Sequence, residues 1–161
     1  FNSKYLSKRF TPAGPDHAQI AACAGIVDYI DTLHQHHGGS SSASATERGE
    51  FVHDLMRAHE TKIMPPLLEW ASNKNSVRLL GPDKAGLRAP TIALDIKQDP
   101  KDVTNKLAQK GIMAGSGDFY AVRALEAHDI DTSKGVLRLS FVHYTNREEI
   151  EKLVDALDCS I

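Results

Sequence analysis

The sequence has few cysteines, little net charge and no apolar run of the length that a membrane-spanning helix needs. Cys23 and Cys159 are its only cysteines, and their positions match neither a disulfide framework nor a zinc-binding spacing. The 19 basic and 21 acidic residues are interspersed, so no basic stripe is available for nucleic acid. A membrane span needs about 20 consecutive apolar residues. We therefore expect no nucleic-acid partner, no membrane insertion, and a reducing, cytoplasmic setting.

Patterns typical of metal and nucleotide sites are missing as well. His34, His36 and His37 are close in sequence, but no pair has the i, i+4 spacing of a helical metal site, and no cysteine or carboxylate joins them in the next turn. Gly115 and Gly117 have no third glycine and no βαβ pattern around them. The sequence thus predicts no metal site and no nucleotide-binding loop.

Two long helices are predicted in the first half of the chain. Apolar residues at helical spacing predict the first from Pro15 to about His37, and we interpret Cys23 on its apolar face as a small core residue. The Gly/Ser-rich stretch at 38–45 then predicts a loop.

The second helix has clear signals at both ends. Ser44 and Glu47 have the spacing of a capping box, which predicts that the helix begins directly after the loop. Pro65 and Pro66 should kink or restart it, because proline lacks the N–H that a helix interior requires.

Short strands appear in the second half of the chain. The segments at 77–80 and 90–96 are separated by a turn-forming stretch and predict an antiparallel pair. The apolar segments at 111–114 and 136–142 predict two further strands.

Helices are predicted between and after these strands. Asp99 can cap one helix, with Pro100 at its first position. An amphipathic stretch covers 119–127, and Thr145 with Glu148 has the spacing of a capping box for the closing helix.

The order of elements indicates an α+β fold, with a small, mostly antiparallel sheet covered by helices and preceded by two long helices. We expect residues 1–14 to be a connector and residues 15–161 to be one small domain. Many unrelated proteins share such an order, so it does not by itself indicate a function.

The stretch from Gly111 to Leu157 resembles the C-terminal segment of class V aminotransferases. This fold-type I group includes cysteine desulfurases, kynureninase and isopenicillin N epimerase-like proteins. The matching positions are Gly111, Ile112, Gly117, Arg138, Ser140, Tyr144, Thr145, Glu148, Glu149, Ile150 and Leu153. Residues 9–30 are similar to the turn and helix that lead into the small domain of these enzymes.

The resemblance implies the C-terminal small domain of a homodimeric, pyridoxal-phosphate-dependent enzyme that acts on an amino acid. The lysine that forms the Schiff base with the cofactor would lie upstream of Phe1, in the enzyme's own large domain. We therefore expect no catalytic residue in this chain. The chain alone should be inactive and should not bind pyridoxal phosphate tightly. A first residue other than methionine fits either a piece of a longer protein or a processed product.

The resemblance assigns Arg138 to the substrate's α-carboxylate, which suits a planar guanidinium with paired donors. Strand alternation places Arg138 and Ser140 on one face, and Leu137 and Leu139 on the other. The alternative is that Arg138 is an ordinary solvent-facing residue on a half-exposed strand.

The loop from Gly115 to Tyr120 differs from its counterpart in group II cysteine desulfurases. Those enzymes carry R-x-G-H-H-C there, whereas this sequence reads GSGDFY. A phenol cannot accept sulfur as a thiolate does, so we expect no persulfide chemistry at this loop. Ser116 and Tyr120 are instead candidate substrate-binding residues, although Tyr120 could equally pack beneath the short helix that follows.

Gly14 stands where the family commonly has a threonine that contacts the partner's cofactor phosphate across the dimer. A backbone N–H near a helix start can bind phosphate, but the hydroxyl contact is lost. The resemblance thus makes Gly14 a candidate cofactor contact, while glycine at a helix entry is also common for structural reasons.

Three functions remain open. The first is a part of a transaminase, lyase or epimerase that uses pyridoxal phosphate, with Arg138 holding the substrate carboxylate. The second is a non-catalytic α+β binding or interaction module. The third is a cysteine desulfurase whose reactive cysteine lies elsewhere in the protein.

Overall fold

The computed structural model describes Lys4 and residues 16–161, and these contain six α-helices, four β-strands and a 3-10 turn at Ala85–Leu87. The helices are α1 (His17–His36), α2 (Ala45–Ile63), α3 (Pro65–Asn73), α4 (Pro100–Gln109), α5 (Val122–Ala127) and α6 (Arg147–Asp158). The strands are β1 (Val77–Leu80), β2 (Thr91–Ile96), β3 (Gly115–Gly117) and β4 (Val136–Ser140). The chain divides into two compact units, the first ending at Leu55 and the second beginning at Met56. The predicted connector, apart from Lys4, lies outside the described residues.

In the first unit, α1 pairs with the beginning of α2. Asp16 caps α1, because its side chain accepts hydrogen bonds from two backbone N–H groups of the first turn. The Arg48 side chain donates to Asp31 across the two helices, with Nε 2.6 Å from Oδ1. Buried His34 packs edge-on against Phe51, with ring centroids 5.1 Å apart. His34 is therefore part of the packing between these helices.

The predicted helix at the start of the chain is confirmed, but most of its apolar positions are not buried. Ile20, Ile26 and Val27 are each more than half exposed. Cys23 is also exposed, so its interpretation as a small core residue is wrong. Helical periodicity identified the element, whereas burial depends on what packs against it, which periodicity does not report.

In the second unit, the four strands form one antiparallel sheet in the order β1-β2-β4-β3. The predicted antiparallel pairing of β1 and β2 is confirmed. The third strand is Gly115–Gly117, so its prediction at the apolar segment 111–114 is wrong. Met113 in that segment is 98% exposed. Pairing with β4 selects the glycine-containing segment instead, with Gly115 opposite Arg138.

The main core lies on one face of this sheet, beneath α3, α4 and α6. Burial of a large apolar side chain contributes roughly 1.5–3 kcal/mol, so this layer holds the second unit together. Its fully buried members are Met64, Leu67, Ile92, Leu94, Val103, Leu107, Leu137, Leu139, Ile150 and Leu157. A smaller cluster contains Leu125, Ile130 and Val136. The predicted α+β class is thus confirmed.

Several helix boundaries follow the local signals in the sequence. The Ser44 N–H donates to Glu47 Oε2 at 2.7 Å, and the Glu47 N–H donates to Ser44 Oγ at 3.3 Å, which confirms the capping box. The long helix ends at Ile63 and a new one begins at Pro65, as the proline pair predicted. Asp99 caps α4 as expected.

The predicted cap of the closing helix is wrong by one residue. Asn146, and not Thr145, is the N-cap of α6, and it forms a reciprocal capping box with Glu149. The Thr145 hydroxyl instead accepts a hydrogen bond from the backbone N–H of Val142. The sequence offers two overlapping pairs with the same spacing, and the path of the preceding turn decides between them.

Candidate functional site

The candidate site lies on the sheet face opposite the main core. Leu137 and Leu139 of β4 are buried in that core, while Arg138 and Ser140 alternate with them and are exposed. Ser140 pairs with Thr91 of β2, and their hydroxyl oxygens lie 3.3 Å apart. β4 therefore presents a guanidinium and a hydroxyl on one face, with a second hydroxyl beside them.

The Arg138 guanidinium stacks on an aromatic ring. Its Cζ atom lies 3.9 Å from the centroid of the Phe119 ring. Within the described residues, Arg138 forms neither a hydrogen bond nor an ion pair, so its five N–H donors have no protein acceptor there. This arrangement leaves the edge of the guanidinium available for an anion.

Arg88 provides a contrast within the same unit. Its Nη1 donates to the Pro82 carbonyl at 2.6 Å, and its Nη2 donates to the Thr91 carbonyl at 2.9 Å. Burial lowers the pKa of Arg88. Arg88 thus uses its Nη1 and Nη2 donors to hold a loop, whereas Arg138 does not.

Phe119 was not among the residues that the sequence singled out. It follows the Gly115–Gly117 strand, has a positive φ of 50°, and packs against the small cluster that contains Leu125 and Val136. The contact with Arg138 depends on how the loop after β3 turns back over β4. No local pattern in the sequence predicts that turn.

The other candidate substrate residues lie apart from Arg138. Ser116 pairs with Leu137, and its hydroxyl lies 3.5 Å from that of Thr104 on α4, which packs on the core side of the sheet. Tyr120 is fully exposed, so it does not pack beneath the short helix. Gly14 lies outside the described residues.

A separate groove of about 350 Å³ lies where β4 ends beside α6. It is lined by Ile112, Met113, Phe141, Ile150 and Leu153, among others. Ser140 is its one link to the exposed sheet face described above. Thr145, Glu149 and Lys152 also line it, so the groove combines apolar and polar groups.

Neither a metal-binding cluster nor a membrane-spanning helix is found in the described part of the chain, Lys4 and residues 16–161. No group of three or more histidine, cysteine or acidic side chains there could hold a metal ion. None of the helices in that part is both long and apolar enough to cross a membrane.

The chain belongs to the class V aminotransferase family, whose model matches residues 41–153. Members of this family and its cysteine desulfurases depend on pyridoxal phosphate. The resemblance seen in the sequence is thus confirmed at the level of the family.

Individual relatives agree with this assignment. An aminotransferase-like protein of Gibberella zeae is 28% identical over 65% of the chain, and a probable cysteine desulfurase of Aeropyrum pernix is 28% identical over 65%. These matches cover 27% and 24% of the relatives' own lengths, so the chain spans about a quarter of each.

Solved structures show the same fold. A cysteine desulfurase of Thermococcus onnurineus superposes with a TM-score of 0.61 at 22% identity, covering 71% of this chain and 28% of that one. A cysteine desulfurase of Escherichia coli gives 0.55 at 20% identity, covering 76% and 32%.

The residues present on the sheet do not fit the cofactor itself. Pyridoxal phosphate is held in its enzymes by a lysine Schiff base, and none of the four described strands contains a lysine. The free donors of Arg138 do fit a carboxylate. The described sheet face therefore suits a carboxylate and lacks the lysine that the cofactor requires.

Proposed function

We propose that this chain is the C-terminal small domain of a pyridoxal-phosphate-dependent enzyme that acts on an amino acid, and that Arg138 binds the α-carboxylate of the substrate. The complete enzyme would be a cytoplasmic homodimer in which the large domain supplies the Schiff-base lysine. The observation that carries the proposal is the exposed guanidinium of Arg138, which has no acceptor among the described residues.

An arginine on a sheet surface is often neutralised by a neighbouring carboxylate, as Arg78 is by Asp95, at 2.9 Å on this same sheet. Arg138 pairs across the sheet with Ala93 and Gly115, which offer no side-chain acceptor. A planar guanidinium without a neighbouring acceptor presents two parallel N–H groups, which match the two oxygens of one carboxylate. The site is thus suited to an anion that arrives from outside this chain.

The proposal favours a transaminase, lyase or epimerase over a desulfurase that uses the Gly115–Tyr120 loop. Persulfide chemistry requires a thiolate, and this loop ends in Tyr120. Cys159 lies at the C-terminal end of α6, which packs on the opposite side of the sheet. Cys23 belongs to the first unit. Neither cysteine is part of the loop that carries the nucleophile in group II desulfurases.

The test compares two probes in the complete polypeptide loaded with pyridoxal phosphate. L-Alanine and ethylamine differ only by the carboxylate, so the ratio of their dissociation constants measures recognition of that group. We expect Arg138→Ala to weaken L-alanine binding by about 10- to 100-fold in calorimetric titrations, because a hydrogen-bonded charge pair is lost. Ethylamine binding should stay within about twofold.

Arg147→Ala is the matched control. Arg147 forms an exposed ion pair with Glu151 on α6, on the far side of the sheet, and such pairs contribute little. Its removal should leave both dissociation constants unchanged. If Arg138→Ala leaves the L-alanine to ethylamine ratio at the wild-type value, the assigned role of Arg138 is wrong.

A further inference from the structure

Phe119 lies against the flat face of the one guanidinium on which the proposed function depends. The separation of 3.9 Å between Arg138 Cζ and the ring centroid is van der Waals contact. Stacking of this kind is attractive because the electron-rich face of the ring meets a delocalised cation. A guanidinium stacked in this way keeps its N–H donors in its own plane, where they can still meet an anion.

The ring itself is held from two sides. Phe119 packs against the cluster of Leu125, Ile130 and Val136. On another side it meets Gly115, where an added Cβ atom would lie 3.0 Å from the Phe119 Cζ atom and 3.9 Å from Arg138 Nε. A side chain at Gly115 would therefore compete for the space in which the ring and the guanidinium meet.

The backbone of the loop also fixes the ring. Phe119 and Tyr120 both have positive φ angles, of 50° and 60°, which bulky residues seldom adopt. The Asp118 side chain accepts a hydrogen bond from the Tyr120 N–H at 3.0 Å, and this closes the turn. Two adjacent aromatic residues share this conformation, yet only Phe119 is packed, since Tyr120 is fully exposed.

Without the ring, Arg138 would be a long exposed side chain with many accessible rotamers. Its strand neighbours Ala93 and Gly115 are too small to restrain it. An anion that bound such a side chain would have to immobilise it at the moment of binding, and that loss of freedom weakens affinity. A guanidinium already stacked in place loses much less.

We propose that Phe119 is a positioning residue, which holds the Arg138 guanidinium in the plane that a substrate carboxylate meets, and that Gly115 is needed to make room for it. This inference rests on the proposed function of Arg138. It adds that the Phe119 ring holds Arg138 in place before the carboxylate binds. The loop from Gly115 to Tyr120 would thus use Phe119 to orient the substrate.

The first experiment detects the contact between the Phe119 ring and the Arg138 guanidinium, in the complete polypeptide without added ligand. In protein labelled with 15N-arginine, the Nε–H proton of Arg138, assigned by its loss in Arg138→Lys, should show an upfield ring-current shift. Phe119→Leu keeps an apolar side chain for the cluster but removes the ring face, so the shift should vanish. Phe119→Tyr keeps the face and should retain it. An Arg138 proton at the same frequency in wild type and Phe119→Leu would overturn the proposal.

The second experiment measures the consequence for binding with the probes L-alanine and ethylamine. Phe119→Leu should weaken L-alanine binding by about three- to tenfold, the range expected for a partly exposed cation–π contact. Ethylamine binding should not change, and Phe119→Tyr should restore L-alanine binding. Phe51→Leu, the same substitution at a phenylalanine of the first unit, is the matched control and should leave both constants unchanged.

The outcomes separate this inference from the proposed function. If Arg138→Ala reduces the preference for L-alanine over ethylamine while Phe119→Leu does not, the Phe119 ring is dispensable for recognition. In that case only the inference on Phe119 fails. If Arg138→Ala has no effect, the proposed function fails whatever Phe119 does. A loss of binding to both probes in Phe119→Leu would indicate a general structural defect and would also count against a positioning role.

Gly115→Ala provides a second variant that leaves both interacting side chains in place. Its Cβ atom should push the ring by a few tenths of an ångström, so the Arg138 Nε–H signal should shift and L-alanine binding should weaken. Gly86→Ala is the control for introducing alanine in the same unit, because an added Cβ atom there has open space and the backbone is not at a positive φ. Equal effects of the two alanines would contradict the role given to Gly115.

Discussion

Gly117 and Gly135 approach each other closely just before β4, the strand that carries Arg138. This contact helps to determine where β4 begins. Gly135 is buried and has a positive φ of 69°, and an added Cβ atom would overlap the carbonyl group of Gly117. Gly117 is the last residue of β3 and pairs with Val136. The absence of a side chain at Gly135 thus lets β3 lie beside β4, with Gly115 opposite Arg138.

The close approach of Gly135 to Gly117 predicts that a side chain at Gly135 destabilises the fold. Gly135→Ala should lower the free energy of unfolding by about 3 kcal/mol or more, because it combines a strained backbone with a backbone overlap. Gly81→Ala also introduces alanine at a positive φ, of 82°, but meets open space. It should cost only about 1–2 kcal/mol. Urea denaturation followed by circular dichroism measures both values, and similar losses would contradict the role of the Gly117 contact.

At the scale of elements, α3 and α6 are joined by a carboxylate at the end of α6. Trp70 Nε1 donates to Asp158 at 3.0 Å, and Lys74 Nζ donates to the same oxygen at 2.7 Å. The hydrogen bond from Lys74, the one from Trp70 and the positive charge of Lys74 lower the pKa of Asp158. The two helices are therefore linked by a contact that requires an ionised carboxyl.

The lowered pKa of Asp158 makes the stability of the folded state depend on pH. A lowered carboxyl pKa stabilises the folded state above the unfolded value of 3.8, and the stabilisation is lost as the pH falls through the folded value. Asp158→Asn should therefore lower the melting temperature at pH 7. The difference from wild type should shrink as the pH falls below 3.8.

Glu151→Gln is the control for this prediction, since Glu151 forms an exposed ion pair with Arg147 on the same helix. It should change the melting temperature little at pH 7. Thermal scans at several pH values would detect the difference. A gap between wild type and Asp158→Asn that stays constant from pH 7 to pH 2 would contradict the linkage.

At the scale of the whole molecule, the chain spans only about a quarter of the length of two relatives it matches. The apolar side of α1 is exposed at Ile20, Ile26 and Val27. The described strands contain no lysine that could form a Schiff base. Under the proposed function, cofactor binding and catalysis require the large domain.

The 161-residue chain by itself should then bind pyridoxal phosphate only weakly and without defined stoichiometry. Titration with the cofactor, followed by visible absorbance and by borohydride reduction, should show no single modified lysine. The complete polypeptide, treated in the same way, should be modified at one lysine outside this chain. Tight one-to-one binding by the chain alone would contradict this division of roles.

Features that depend on a few neighbouring residues could be predicted from the sequence. Ser44 with Glu47 and Asp99 with Pro100 mark helix starts, because capping bonds are made within one turn. The alternation around Arg138 indicated which β4 side chains face the core. The family resemblance was also visible, because its motifs lie in one ordered stretch from Gly111 onward.

Features that depend on distant residues could be decided only by the tertiary structure. The exposure of α1, the choice of Gly115–Gly117 as the third strand, and the stacking of Phe119 on Arg138 each require knowing which segments meet. The amino-acid sequence on its own determined the helices, the alternation of the strands and the family. The tertiary structure determined the partners of each side chain, because packing brings together residues whose separation along the chain carries no local signal.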